Sequence, residues 1–174
     1  AVAGVAGVAR ATGIVSSYSV FPLATDGSLL AFPGTPGIAT NWHDTPAAGG
    51  LTGPRIVEGR APEADDEVAI DPATVRRGGY AVGEDVRVST PLDGIRTYRL
   101  VGTGTYGAGA TAGSSYLFFT LDEARAIAIK GADGYTGMWV QAAAGASPAD
   151  VATAVAKVLP SGFEATTAEA LADR

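Results

Sequence analysis

"LVGTGTYGAG", residues 100–109, follows the strand-like run "RTYRLV" at 96–101. Gly102, Gly104 and Gly107 fit the G-x-G-x-x-G pattern of a dinucleotide-binding turn, and Asp122 stands 20 residues after Gly102, where a ribose-binding acid is expected. Taken at face value, the motif makes the chain an oxidoreductase. A pyrophosphate, however, sits on a helix N-terminus, so the third glycine must open a helix. Here Gly107 is followed by "AGATAGSSYLFF": small flexible residues, then a strand. No helix signal comes before Thr120, and the preceding strands are short and hairpin-like rather than part of a βαβ unit. In a chain with 24 glycines the match has a plain reading, a loop joining two strands. Asp122 then reads as a first-turn acid favoured by a helix dipole. No nucleotide cofactor is expected.

Helix signals lie on both sides of that stretch. "DPATVRR" offers Asp71 as N-cap and Pro72 at the first helical position. "TLDEARAIAI" offers Thr120 with Glu123 three residues on, the spacing of a capping box. "SPADVATAVAKVLPSG" offers Ser147 as cap and Pro148 after it, with Val151, Val155, Val158 and Leu159 on one face. Thr166 with Glu169 predicts a last helix near the end. Strands are predicted in "ARATGIVSSYSVF", in "SLLAF" after a "TDG" turn, and in "DEVAI", "DVRVST", "RTYRLVGT", "SSYLFFT" and "YTGMWVQAA". The first two are read as a hairpin from about residue 9 to 33. Turns are expected at Gly78–Gly79 and Asp93–Gly94. The Gly/Pro-rich stretch 33–54 reads as a long loop. "VAGVAGVARAT" near the start echoes "VAKVLPSGFEATT" near the end, each a helix end, a glycine turn and a strand. Two such units around a β-rich middle predict an α+β fold: a split α/β sandwich with ferredoxin-like halves (1–57 and 135–174) and an inserted β-rich subdomain (58–134).

Composition narrows the function classes. The 174 residues carry a net charge of −6 and their few basic residues do not cluster, which argues against nucleic acid as a partner. Cysteine is absent, so disulfides, zinc–thiolate sites and thiol nucleophiles are excluded. There is one histidine and only two lysines. No apolar run reaches the 18 or so residues of a membrane span.

Two other clusters could carry chemistry. Glu63, Asp65, Asp66 and Glu67 are hard oxygen ligands, but the D-x-D-x-D-G spacing of a calcium loop is missing, so they read as a solvated turn. His43 beside Asp44 in "NWHD" suggests an oriented base, yet no G-x-S-x-G nucleophile accompanies it and one histidine cannot build a multi-histidine metal site. It reads as a loop histidine beside a loop tryptophan. Trp42 on a Gly/Pro-rich loop is either an anchor for a partner or a lid folded onto the core. No catalytic constellation is left. Binding or mechanical work is expected rather than enzymatic catalysis.

The stretch "VEGRAPEADDEVAIDPATVRRGGYAVGEDVRVSTPLDGIRTYRLVGTGTY", residues 57–106, carries a resemblance. Gly59, Arg60 and Pro62 form a Gly-Arg-x-Pro turn, Asp65 to Val68 an acidic "DDEV" entry to a strand, and "GYAVGEDVRV" at 79–88 a Gly-x-x-Val-Gly-Asp-x-Val-x-Val element. These resemble the extracytoplasmic domain of FtsX/MacB-type ABC-transporter permeases, the MacB-like periplasmic core. The likeness runs over about residues 50–174. Glu84 beside Asp85 departs from the single acid usual there.

The resemblance implies architecture and place more than any site. It implies a non-enzymatic domain on the extracytoplasmic side of the cell membrane, between the first and second membrane helices of a longer chain. ATP would be hydrolysed by a separate cytoplasmic subunit. The domain would engage a substrate or protein partner and couple that contact to motion of the membrane helices. Phe21, Phe32 and Trp42, on or near the first hairpin and long loop, are the expected partner contacts. No catalytic, metal or cofactor residue is expected. The rival readings are a soluble nucleotide-binding enzyme using the 102–107 glycines and a free-standing cell-surface interaction module.

Overall fold

A computed structural model describes residues 1–31, 34–45, 52–106 and 113–172. Its helices begin where the caps are. Helix α1 (Pro72–Gly78) starts at Asp71, whose carboxylate accepts from the Thr74 N–H at 2.9 Å. It ends at Gly79, held in the left-handed region at φ 74°, where a side chain would be strained. Helix α2 (Leu121–Ile129) starts at Thr120, whose hydroxyl accepts from the Glu123 N–H at 3.2 Å. The expected capping box is only half built, because the Glu123 side chain turns into the core and bonds elsewhere. Helix α3 (Pro148–Ala156) starts at Ser147, and Val151 and Val155 are buried as expected. The helix stops short of Val158, which is exposed. Helix α4 (Ala168–Ala172) is capped by Thr167 rather than Thr166, since the Thr167 hydroxyl accepts from the Ala170 N–H at 3.2 Å.

The strands form two sheets. The smaller pairs β1 (Val8–Ile14) antiparallel with β10 (Gly137–Ala142). Helix α3 and a short 3-10 turn at Val2–Gly4 close one of its faces around Val2, Val151 and Val155. The larger sheet has the order β2 (Ser16–Tyr18), β4 (Gly37–Asn41), β9 (Ser115–Phe119), β6 (Glu67–Ile70), β8 (Gly94–Tyr106), β7 (Asp85–Thr90) and β3 (Phe21–Pro22). An eighth strand, β5 (Pro54–Gly59), also pairs with β8. The long β8 presents one edge to β7 and then to β5, and the other to β6. Pairs β4–β9 and β6–β8 are parallel and the remaining pairs antiparallel. Helices α1 and α2 cover one face, burying Val20, Ile70, Val86, Leu100, Leu117, Phe119 and Ile127. The fold is α+β, with mixed sheets and few, short helices, as a split α/β sandwich requires.

Several local expectations give way to long-range pairing. No hairpin spans 9–33: β1 pairs with β10, β2 with β4 and β3 with β7. The "TDG" turn does form, with Asp26 accepting from the Ser28 N–H at 2.8 Å and Gly27 at φ 91°, but it closes only a single bridge, Leu23 to Leu29. The stretch 33–54 is not all loop, since β4 lies inside it and is held by β9. The echo fails at its second copy, because residues 163–167 form no strand. Every strand between residues 16 and 59 belongs to the larger sheet.

Candidate functional site

Gly102 and Gly104 sit inside the strand β8, not in a loop. A Cβ on Gly102 would lie 2.3 Å from the Arg60 carbonyl oxygen, so glycine is there to let the β5 backbone cross. A Cβ on Gly104 would meet the Trp42 ring at 3.2 Å and the Phe118 ring at 3.3 Å. These two glycines make room for a neighbouring backbone and two aromatic rings, and neither opens a helix. Gly107 lies outside the described residues.

The aromatic groups that gather beside Gly104 lie between the two sheets. Trp42 follows directly on β4, and its N–H donates to the Phe119 carbonyl at 2.7 Å, extending the β4–β9 ladder. Its ring stands edge-on to Phe118, centroids 5.6 Å apart, and its indole N–H donates to Asp44 at 2.9 Å. Tyr106, at the end of β8, packs on Phe118 at 5.4 Å, Tyr116 at 5.7 Å and Trp139 of β10 at 5.9 Å. Burial pushes the Tyr106 hydroxyl up to about 12.

His43 is wedged into this group. It is only 8% exposed, with Trp139 edge-on at 5.0 Å and Tyr106 at 6.2 Å. Its Nε2 lies 3.5 Å from the Tyr106 hydroxyl, and its Nδ1 is buried with no hydrogen-bond partner among the described residues. Burial lowers its pKa, and the nearby Asp44 carboxylate only partly offsets that. His43 lies in a loop, just past the end of β4, but its ring is buried in the contact between the sheets. Local sequence could not reveal this, because Tyr106 and Trp139 come from distant parts of the chain.

Of the other expected contacts, Phe21 lies apart from the nest. Phe21, in β3, is half-buried, and its ring closes on Gly37, where a Cβ would lie 2.6 Å from it. Gly37 starts β4 and Trp42 follows its end, so the two aromatic residues are separated by roughly 16 Å of strand. Phe32 lies outside the described residues.

The remaining polar clusters serve the fold. The Glu67 carboxylate binds the Arg60 guanidinium through both oxygens and accepts the N–H groups of Glu63 at 2.9 Å and Ala64 at 3.3 Å. Those bonds, led by Arg60, hold its pKa at about 2. Asp65 accepts the Thr120 hydroxyl, tying the turn to α2. Among the described residues no group of three metal-ligating side chains converges. The buried Glu123 receives the Tyr98 hydroxyl at 2.5 Å and Arg96 at 2.6 Å, fastening α2 to β8.

This arrangement of a short terminal sheet against a larger mixed sheet has relatives. Residues 1–158 match the MacB-like periplasmic core domain family. The chain belongs to that family. As a MacB-like periplasmic core domain, it is an extracytoplasmic part of an ABC-transporter permease. A crystallised domain of a Porphyromonas gingivalis protein described as a permease shares the fold, with a TM-score of 0.50 and 16% identity over 87% of this chain and 69% of that one. No curated protein matches the MacB-like chain in sequence. Among its described residues no helix is long and apolar enough to cross a membrane.

Proposed function

We propose that this MacB-like domain engages a substrate or protein partner outside the membrane and passes that contact to ATP-driven movement of the permease's membrane helices. ATP is hydrolysed by a cytoplasmic ATPase subunit working with the full permease, and the domain itself does no catalysis. The carrying observation is the joint between the sheets. Residues 8–14 and 137–142, far apart in sequence, pair into one small unit, and this unit meets the larger sheet through Trp139 and His43. In this reading the boundary between the moving units is the crossover at Val15 rather than residue 57. The small unit follows the membrane helices, and the larger sheet presents the contact surface.

Trp42, Phe21 and Phe32 remain the proposed contacts. The partly buried Trp42 ring supports this, since it is held rigid by Phe118 and Asp44. A rigid aromatic group of this kind loses little entropy on binding. The test uses the full permease with its ATPase, carrying Trp42→Ala, Phe21→Ala or Phe32→Ala. Transport or partner cross-linking is expected to fall about tenfold for Trp42→Ala, the loss of one interface anchor worth some 1.4 kcal/mol. Unchanged transport and cross-linking in all three variants would refute the assignment of contacts.

A further inference from the structure

We infer that His43 is a proton-operated latch between the two sheets: neutral, it holds the small terminal sheet against the larger one, and protonated, it releases it. The geometry carries the argument. The imidazole fills the space between Tyr106 of β8 and Trp139 of β10, and only one of its nitrogens has a polar neighbour. A neutral ring leaves one nitrogen without a proton, and a lone acceptor in an aromatic setting is tolerated. An imidazolium ring carries N–H on both nitrogens. Its Nδ1–H would then be a charged donor, buried and without an acceptor. The site relieves this only by admitting water, which means moving Trp139 away from His43.

The groups facing the ring leave little to offset the charge. On its own segment the acid is Asp44, whose carboxylate is already accepting from the Trp42 indole. Strand β8 supplies the Tyr106 hydroxyl, itself held protonated by burial. Strand β10, "GMWVQA", has no ionisable side chain. Strand β1 has one ionisable residue, the exposed Arg10. The segments 46–51 and 107–112 contain no ionisable residue. The sign follows from burial. A histidine with a lowered folded pKa contributes stability that is present above the ordinary value of 6.5 and is lost as pH falls from there through the lower folded value.

Other polar bonds cross between the sheets, among them those of Asn41 to the Val15 N–H and the Gly13 carbonyl. Thr45 donates to Thr12 at 2.9 Å, and the Ser16 N–H donates to Thr136 at 2.7 Å, beside the crossover where β1 runs into β2. The Thr45–Thr12 bond lies level with the aromatic contact, since Thr12 pairs with Trp139 across β1 and β10, while the Ser16–Thr136 bond lies at the crossover. The inference rests on the fold and not on transport, so it can fail while the permease reading stands.

The composition makes the test clean. His43 is the only histidine, and the absence of cysteine allows two labels to be placed at will. Spin labels at Thr97→Cys on the larger sheet and Thr153→Cys on α3, both exposed, report the distance between the units. The imidazole resonance of His43 is followed by NMR on the same 174-residue chain from pH 8 to pH 4.5. The expected result is a titration below pH 6.5 accompanied, in step, by a second and longer distance population. That population should be absent in His43→Phe and in His43→Gln. A distance distribution that stays single while the imidazole titrates overturns the latch. So does an imidazole that stays neutral down to the pH of global unfolding, or a longer population that persists in whichever of the two variants folds.

Discussion

Asn41 is where the two sheets are fastened, and its removal has a calculable cost. Its side-chain oxygen accepts the Val15 N–H at 2.8 Å, and its amide donates to the carbonyls of Gly13 at 3.4 Å and Trp42 at 3.3 Å. Val15 is fully buried and Asn41 nearly so. In Asn41→Ala the Val15 N–H loses its acceptor with no route to water, which costs about 1–3 kcal/mol. The two long amide bonds add about 0.5 kcal/mol each. The expected loss is therefore about 2–4 kcal/mol, a large share of the 5–15 kcal/mol typical of a domain. Equilibrium denaturation in urea measures it, and amide exchange at Val15 should rise with it. Asn41→Asp keeps the acceptor but turns a second oxygen toward the Gly13 carbonyl, so it should lose stability too. If Asn41→Ala costs under 1 kcal/mol and Val15 stays protected, the crossover is not held in this way.

Other expectations follow from the same bookkeeping of buried groups. Asp71 is fully buried and accepts the N–H groups of both Thr74, at 2.9 Å, and Tyr116, at 3.0 Å, so Asp71→Ala should cost about 2–4 kcal/mol and Asp71→Asn less, by thermal or urea denaturation. Gly102→Ala should destabilise by about 1–3 kcal/mol or more, because its Cβ would strike the Arg60 backbone, while Gly104→Ala should be milder since two side chains can shift; equal costs would count against this reading. Millimolar NAD(P) or ATP should produce no thermal shift, and a shift abolished by changes at Gly102 or Gly104 would revive the nucleotide reading. Acid should act through Glu67: its folded pKa of about 2 lies below the ordinary 4.5, so its contribution is present above pH 4.5 and lost as pH falls toward 2. Glu67→Gln should flatten that part of the stability curve. Glu123 has the opposite sign, since burial raises its pKa despite Tyr98 and Arg96, so its ionisation costs stability as pH rises above 4.5 and Glu123→Gln should remove that slope.

Local chemistry made the helix ends readable. Asp71–Pro72, Thr120 and Ser147 each place an acceptor where orphan N–H groups need one, and that signal depends on three or four adjacent residues. The hairpin β7–β8 was readable for the same reason, through its Asp93–Gly94 turn, with Gly94 at φ 72°. Strand β4 was not: "GIATN" lies among glycines and prolines, and its partners β2 and β9, the latter more than 70 residues on, make it a strand. Strand β5 carries a local signal, the β-branched residues of "RIVE". Strand β1 looked like half of a hairpin because its true partner, β10, is over 120 residues away. The family was legible because its motifs are turns and caps, which are local. His43 was not, because a nest of rings from β8, β9 and β10 exists only after folding.

The most direct test of the functional reading is the distance between labels at Thr97→Cys and Thr153→Cys in the full permease with its ATPase, with and without ATP. If the small sheet unit moves with the membrane helices, that distance shifts between the nucleotide-free and ATP-bound states. An unchanged distance in a permease that still hydrolyses ATP and transports would contradict the coupling proposed for this domain.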